Sequence, residues 1–136
     1  MNPTAQLHPG MSGSEATRVT REVTVAHFHP QMPEVYGTPF MIYLMEVAAS
    51  NAIQAFLPAG WVSVGAEVNV RHLAATPVGH TVTARATGIS VADRLIAFAV
   101  EAFDDAERIG EGTHVRAAID LARFERNLSA KRIGGG

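Results

Sequence analysis

The 136-residue sequence contains no cysteine, and that one absence removes disulfides, thiolate metal sites and a cysteine nucleophile together. It also lacks an excess of either charge. With 11 basic and 13 acidic side chains the formal charge is -2, so nothing marks the chain as a nucleic-acid binder. A glycine-rich phosphate loop and a Gly-x-Ser-x-Gly elbow are both missing, which withdraws sequence support from nucleotide-hydrolase and serine-hydrolase readings. Residues 1–16 carry neither a basic n-region nor an apolar h-region. They read as a disordered terminus, not a signal peptide, so a cytoplasmic location is expected. One long apolar run exists, from Pro39 to Leu57, but Glu46, Ser50, Asn51 and Gln54 interrupt it and no basic anchors flank it. It reads as a core helix, with no membrane partner.

What is present is an ordinary globular composition, 47% apolar and 18% charged, at a length that fits one domain with one core. The expected layout is a tail over 1–16, a folded domain over 17–128 and a flexible end over 129–136 that closes on Gly134-Gly135-Gly136. Thr17–Ala26 alternates polar and apolar residues as a half-buried strand does, and Pro30 and Pro33 break the pattern. Thr38-Pro39 supplies a capping hydroxyl and a proline suited to the first helical turn, while Pro58 and Gly60 close the helix. Four further strands follow, Trp61–His72, Thr81–Val91, Arg94–Asp104 and Ile109–Leu121, with tight turns at Ala92-Asp93 and over 104–107 and a longer corner over 74–79. The pattern predicts an α+β fold: a strand, a long helix, then an antiparallel meander. A helix apolar on nearly every face needs more than one sheet to cover it, so the sheet is expected to curl around it with a second copy of the chain completing the cover. A homodimer, or a pair of dimers, follows. Ala48, Ala49, Ala52 and Ala55 would let strands approach the helix closely.

Glu46 is the first candidate for chemistry, because an ionised carboxylate taken out of water is costly unless it has partners or a task. Tyr43, Glu46, Ser50 and Gln54 fall on one helical stripe, a polar seam that serves either a general base or nucleophilic carboxylate, or a purely structural interface. His72 is the second. Alternation places it with Ala66, Val68 and Val70 on the face expected to be buried, opposite Glu67, Asn69 and Arg71. Thr38 is the third, although capping alone accounts for a threonine before proline. Eight positions along a helix separate Thr38 from Glu46 by about 12 Å, too far for direct contact, so a shared substrate calls for a folded-back loop or two chains. The first turn of the helix would offer backbone N–H groups to a carbonyl oxygen. His27-x-His29 has no further ligand near it in sequence, and no metal or cofactor is assigned.

With these positions in place, the chain resembles the hotdog-fold acyl-CoA thioesterases, in particular the group that includes fluoroacetyl-CoA thioesterase. The resemblance lies in Thr38-Pro39-Phe40-Met41-Ile42-Tyr43-Leu44-Met45-Glu46, in Val64-Gly65 leading to Val70-Arg71-His72-Leu73-Ala74-Ala75-Thr76-Pro77-Val78-Gly79, and in Gly110-Glu111-Gly112-Thr113-His114-Val115-Arg116. It implies a hotdog fold, an antiparallel sheet wrapped around one long helix, with sites at a dimer interface. It implies also that Thr38, Glu46 and His72 form the catalytic group, that Gly65 lies beside the acyl pocket, that Arg116 approaches the acyl end, and that Met32 and Phe40 belong to substrate binding. Alternation sets Arg116 on the face opposite Val115 and Ile119. One departure bears on substrate: the loop over 27–34 is shorter than the fluoroacetyl-specific lid, and Met32 stands where an aromatic lid residue is expected. The expected activity is therefore hydrolysis of a short or medium acyl-CoA to free acid and coenzyme A. Arg71, Arg85 and Arg94 are candidates for coenzyme A phosphates. The alternative is a non-catalytic acyl-CoA binder or sensor. A hydratase would need an aspartate paired with histidine in the loop, and residues 27–34 contain no aspartate.

Overall fold

In the strand Leu95–Phe103 every second side chain is buried, Ile96, Phe98, Val100 and Ala102, and Val82, Ala84 and Ala86 do the same in Thr81–Ala92. This period of two gives one apolar sheet face, and the long helix Thr38–Ile53 lies on it with Met41, Leu44, Met45, Ala48, Ala49, Ala52 and Ile53 turned inward. The computed structural model describes residues 2–134, so Gly135 and Gly136 of the expected flexible end lie outside the described residues. Its strands are β1 (Ser12–Arg18), β2 (Trp61–His72), β3 (Thr81–Ala92), β4 (Leu95–Phe103) and β5 (Arg108–Asp120). Its helices are α1 (Val25–Phe28), α2 (Thr38–Ile53) and α3 (Leu121–Ala130).

All five strands form one antiparallel sheet in the order β1-β3-β4-β5-β2. Only β3-β4-β5 is a meander. The expected four-strand meander gives way because the corner after His72 carries the chain across the sheet, leaving β2 on the far edge beside β5. The first strand also differs from expectation: it runs over Ser12–Arg18, starting inside the expected disordered tail and overlapping the expected strand only at Thr17 and Arg18, and residues 19–28 form turns and α1 instead. Its sequence hides it. At Gly13 a Cβ would fall 2.4 Å from the Ala48 carbonyl oxygen and 2.5 Å from the Ala52 nitrogen, so β1 meets α2 backbone to backbone and has no apolar alternation to read. Leu7 and Met11 are buried ahead of it. At the other end β5 stops at Asp120, whose carboxylate accepts the Arg123 N–H at 3.2 Å and caps α3, a helix that occupies part of the expected flexible end.

The cover over α2 is one-sided. Tyr43 is 68% exposed, Glu46 and Ser50 are half-buried and Gln54 is exposed, so the polar seam is the flank that this chain leaves open. Beside that flank runs the β2 edge, where residues 65–69 are exposed as well. Among the described residues no helix is long and apolar enough to cross a membrane.

Candidate active site

Thr38 opens α2, but Gly37 is the residue that caps it, with the extended φ of -80° and ψ of 140°. The Thr38 hydroxyl is thereby free of the capping task the sequence assigned to it. Its Oγ1 lies 2.8 Å from Nδ1 of His72, which stands at the last position of β2. Thr38 sits between two cavities. One, about 370 Å³, is bounded by Tyr36, His72 and residues 73–75; the other, about 300 Å³, is an apolar hollow bounded by Phe28, His29, Pro39 and Phe40. Burial holds the His72 imidazole below the ordinary histidine pKa, against a weaker opposing pull from the Ala74 backbone. Its Nε2 is buried and has no hydrogen-bond partner among the described residues. Burial also pushes the Tyr36 phenol up to about 12, so it stays a neutral wall of the larger cavity.

Glu46 belongs to a different group. A Cβ added at Gly65 would stand 3.0 Å from Glu46 Oε2 and 3.4 Å from His114 Cε1, so β2 leaves out a side chain where the carboxylate lies. On the other side Arg116 is 7% exposed, its Nη1 3.9 Å from Oε2 and 3.5 Å from the Glu46 carbonyl oxygen. The same guanidinium donates from Nε to Ser63 Oγ at 2.8 Å and from Nη2 to the Ser63 carbonyl at 2.9 Å. His114, only 1% exposed, completes the cluster. Its Nδ1 is 2.8 Å from the Glu67 carbonyl oxygen, which can only accept, and its Nε2 is 3.2 Å from Arg116 Nη1, which can only donate. Both bonds are satisfied by one species, the neutral imidazole protonated on Nδ1. Burial, the largest influence, lowers the His114 pKa in keeping with this, while burial also lowers that of Arg116. The Glu46 side chain is 32% exposed, open toward the uncovered flank rather than sealed in the core.

The chain thus brings Thr38 to His72 and Glu46 to Gly65 and Arg116, as two groups and not one. Strand geometry departs from simple alternation in β2 and follows it in β5. The β2–β5 register shifts between Gly65 and Glu67, so Gly65 opposite Arg116 and Val68 opposite His114 share the helix-facing side, while Ala66 is the extra residue of the bulge and is exposed. In β5 the side that faces α2 is the one carrying His114, Arg116 and Ala118, so Arg116 opposite Val115 and Ile119 is inward. Phe40 is half-buried and its ring stacks on Phe28 with centroids 6.2 Å apart. Met32 is exposed and bounds neither cavity at Thr38; the aromatic side chains there are Phe28, Tyr36 and Phe40. Arg71 pairs with Glu111, and Arg94 lies 4.9 Å from the Trp61 ring centroid. Sequence reasoning passed over Phe28, Ser63 and His114. Only His114 carried a signal, a histidine two positions before Arg116 on the same strand face. No cluster of three or more potential metal ligands occurs among the described residues.

Comparison with known proteins bears on this geometry. The family model described as FlK, fluoroacetyl-CoA-specific thioesterase, matches residues 19–122. The fluoroacetyl-CoA thioesterase of Streptantibioticus cattleyicolor is 41% identical over 118 residues, covering 82% of this chain and 85% of that protein. A solved structure of the fluoroacetyl-CoA thioesterase FlK superposes with a TM-score of 0.86 at 37% identity, covering 93% of this chain and 98% of that one. A phenylalanine-to-alanine variant of FlK in complex with fluoroacetate and CoA gives 0.79 at 39% identity, covering 87% and 99%. A hot-dog-like protein from Thermanaerovibrio acidaminovorans, 23% identical with each chain fully covered, has a TM-score of 0.86 and shares the fold.

Proposed function

Because the chain belongs to the fluoroacetyl-CoA-specific thioesterase family, a group of hotdog-fold thioester hydrolases, we propose that it hydrolyses short acyl-CoA thioesters to the free acid and coenzyme A, with fluoroacetyl-CoA the first substrate to expect. The observation that carries the mechanism is the 2.8 Å bond between the Thr38 hydroxyl and the His72 imidazole, a nucleophile and base already in contact. In this reading the Thr38 oxygen attacks the thioester carbonyl as its proton passes to His72 Nδ1. The carbon–sulfur bond then breaks, His72 returns the proton to the departing thiolate, and water hydrolyses the Thr38 ester by the same relay. The Thr38 backbone N–H at the start of α2 is the donor offered to the oxyanion, since Pro39 has no N–H and those of Phe40 and Met41 donate to the Gly37 carbonyl.

Glu46 enters from a second copy. For Thr38 to donate to Nδ1, the neutral His72 carries its proton on Nε2, and that buried group has no partner among the described residues. A carboxylate brought near by the partner subunit would stabilise the imidazolium that forms during attack. The uncovered flank of α2 and the exposed β2 edge supply the surface on which a second copy would dock, and the Glu46, Gly65 and Arg116 group opens toward that flank.

Thiol release from a panel running from acetyl-CoA and fluoroacetyl-CoA to medium chains tests the activity. Glu46→Gln and His72→Ala are each expected to lower turnover by at least about a hundredfold. Wild-type rates in both variants would end the assignment, and binding without thiol release across the panel would favour the non-catalytic binder. Trapping an acylated Thr38 by mass spectrometry supports the ester route; turnover with no such species replaces it with direct attack by water.

A further inference from the structure

Around Glu46 a chain of hydrogen bonds runs from β2 through His114 and Arg116 to the Glu46 carbonyl oxygen, with the Glu46 carboxylate in an ion pair 3.9 Å from Arg116. From the bulge beside Gly65 the chain reaches Glu67, whose carbonyl oxygen accepts from His114; His114 accepts from Arg116; and Arg116 reaches Glu46, whose carboxylate lies against Gly65 again. A buried guanidinium has five N–H donors and must be held by acceptors. Ser63 supplies two from the opposite end of the fork and His114 one beside Glu46.

We propose that His114 and Ser63 are positioning residues, which hold the Arg116 guanidinium in the one orientation that fixes the Glu46 carboxylate beside Gly65. The inference rests on the catalytic role given to Glu46 above. His114 suits the task because it must donate on one side and accept on the other. A protonated His114 would turn an N–H toward the Arg116 N–H and lose the bond between them. Ser63 suits it because its hydroxyl and carbonyl grip two nitrogens of one planar group and so set the plane.

The test compares His114→Phe, His114→Gln and Ser63→Ala, alone and combined with Glu46→Gln, in steady-state hydrolysis of the best substrate in the panel. His114→Phe is expected to lower kcat about 10- to 100-fold, the scale of a misplaced catalytic group, with KM changed less than about twofold. His114→Gln, which keeps a donor and an acceptor, should recover most of that loss. In the Glu46→Gln background His114→Phe should cost less than about a further twofold, because its effect runs through the carboxylate. An unchanged kcat in His114→Phe, or an equal proportional loss with and without Glu46, overturns the proposal. If Glu46→Gln alone retains wild-type turnover, the catalytic reading beneath it fails first and the proposal with it. Should His114→Phe not fold, Ser63→Ala carries the same test through the other end of Arg116, with the same required non-additivity.

Discussion

Thr38→Ala and Glu46→Gln, each expected to cripple the enzyme alone, should rescue one another when assembled into one dimer. On α2 the two residues stand eight positions apart, about 12 Å along the axis, and each is already engaged elsewhere. Thr38 bonds His72, while Glu46 lies against Gly65 and near Arg116. If one protomer supplies the Thr38 and His72 pair and the other supplies Glu46, a mixed dimer holds one site with both substitutions and one with neither. Random pairing of equal amounts makes about half of all dimers mixed, so total activity should return to about one-quarter of wild type. Were all three residues contributed by one chain, every site in the mixture would carry one substitution, and activity would stay near the roughly hundredfold-reduced level of the single variants. The two outcomes differ by about 25-fold, well outside error in a thiol-release assay. Co-expression with two different affinity tags and tandem purification isolates the mixed dimer, which should then show about half the wild-type rate. Purified mixed dimers no more active than either parent would refute the shared-site arrangement.

Gly65→Ala should lower kcat about tenfold, since its Cβ would stand 3.0 Å from Glu46 Oε2 and force the carboxylate aside; an unaltered kcat would show that the position of this oxygen does not matter. Gly13→Ala meets backbone at 2.4 and 2.5 Å instead of a movable side chain. It should destabilise the fold by about 1–3 kcal/mol in urea denaturation, and a neutral result would mean β1 and α2 are not in close contact. His72 and His114 both have pKa values lowered chiefly by burial, so below the ordinary histidine value of about 6.5 the unfolded chain binds more protons than the folded one. Stability should therefore rise with pH through that window and level off above it, giving a lower denaturation midpoint near pH 5.5 than near 7.5. A midpoint that increases on acidification would contradict the neutral imidazoles.

Much of this organisation is legible along the chain because local rules act over a few residues. Pro39 marks the start of the long helix, whereas its end at Ile53 precedes the expected close at Pro58 because the chain tightens into a short turn over Gln54–Phe56, and period-two runs mark β2 to β5. The strand that meets α2 at Gly13 escapes such reading, because contact between two backbones leaves no apolar pattern. The helix α3 could have been found from Asp120 as a cap followed by Leu121, Phe124 and Leu128 on one face, a signal the strand pattern of β5 masked.

By itself the sequence determined that a threonine, a glutamate and a histidine stand at marked positions, and that a helix with so few polar faces requires more cover than one sheet provides. Which groups touch was decided only in three dimensions. Thr38 and His72 are 34 positions apart and Glu46 and Arg116 are 70 apart. Their meeting depends on β2 crossing to the far edge of the sheet and on a one-residue bulge at Gly65 that turns a strand face over. No local propensity encodes either event, since both follow from how the whole sheet closes over its helix.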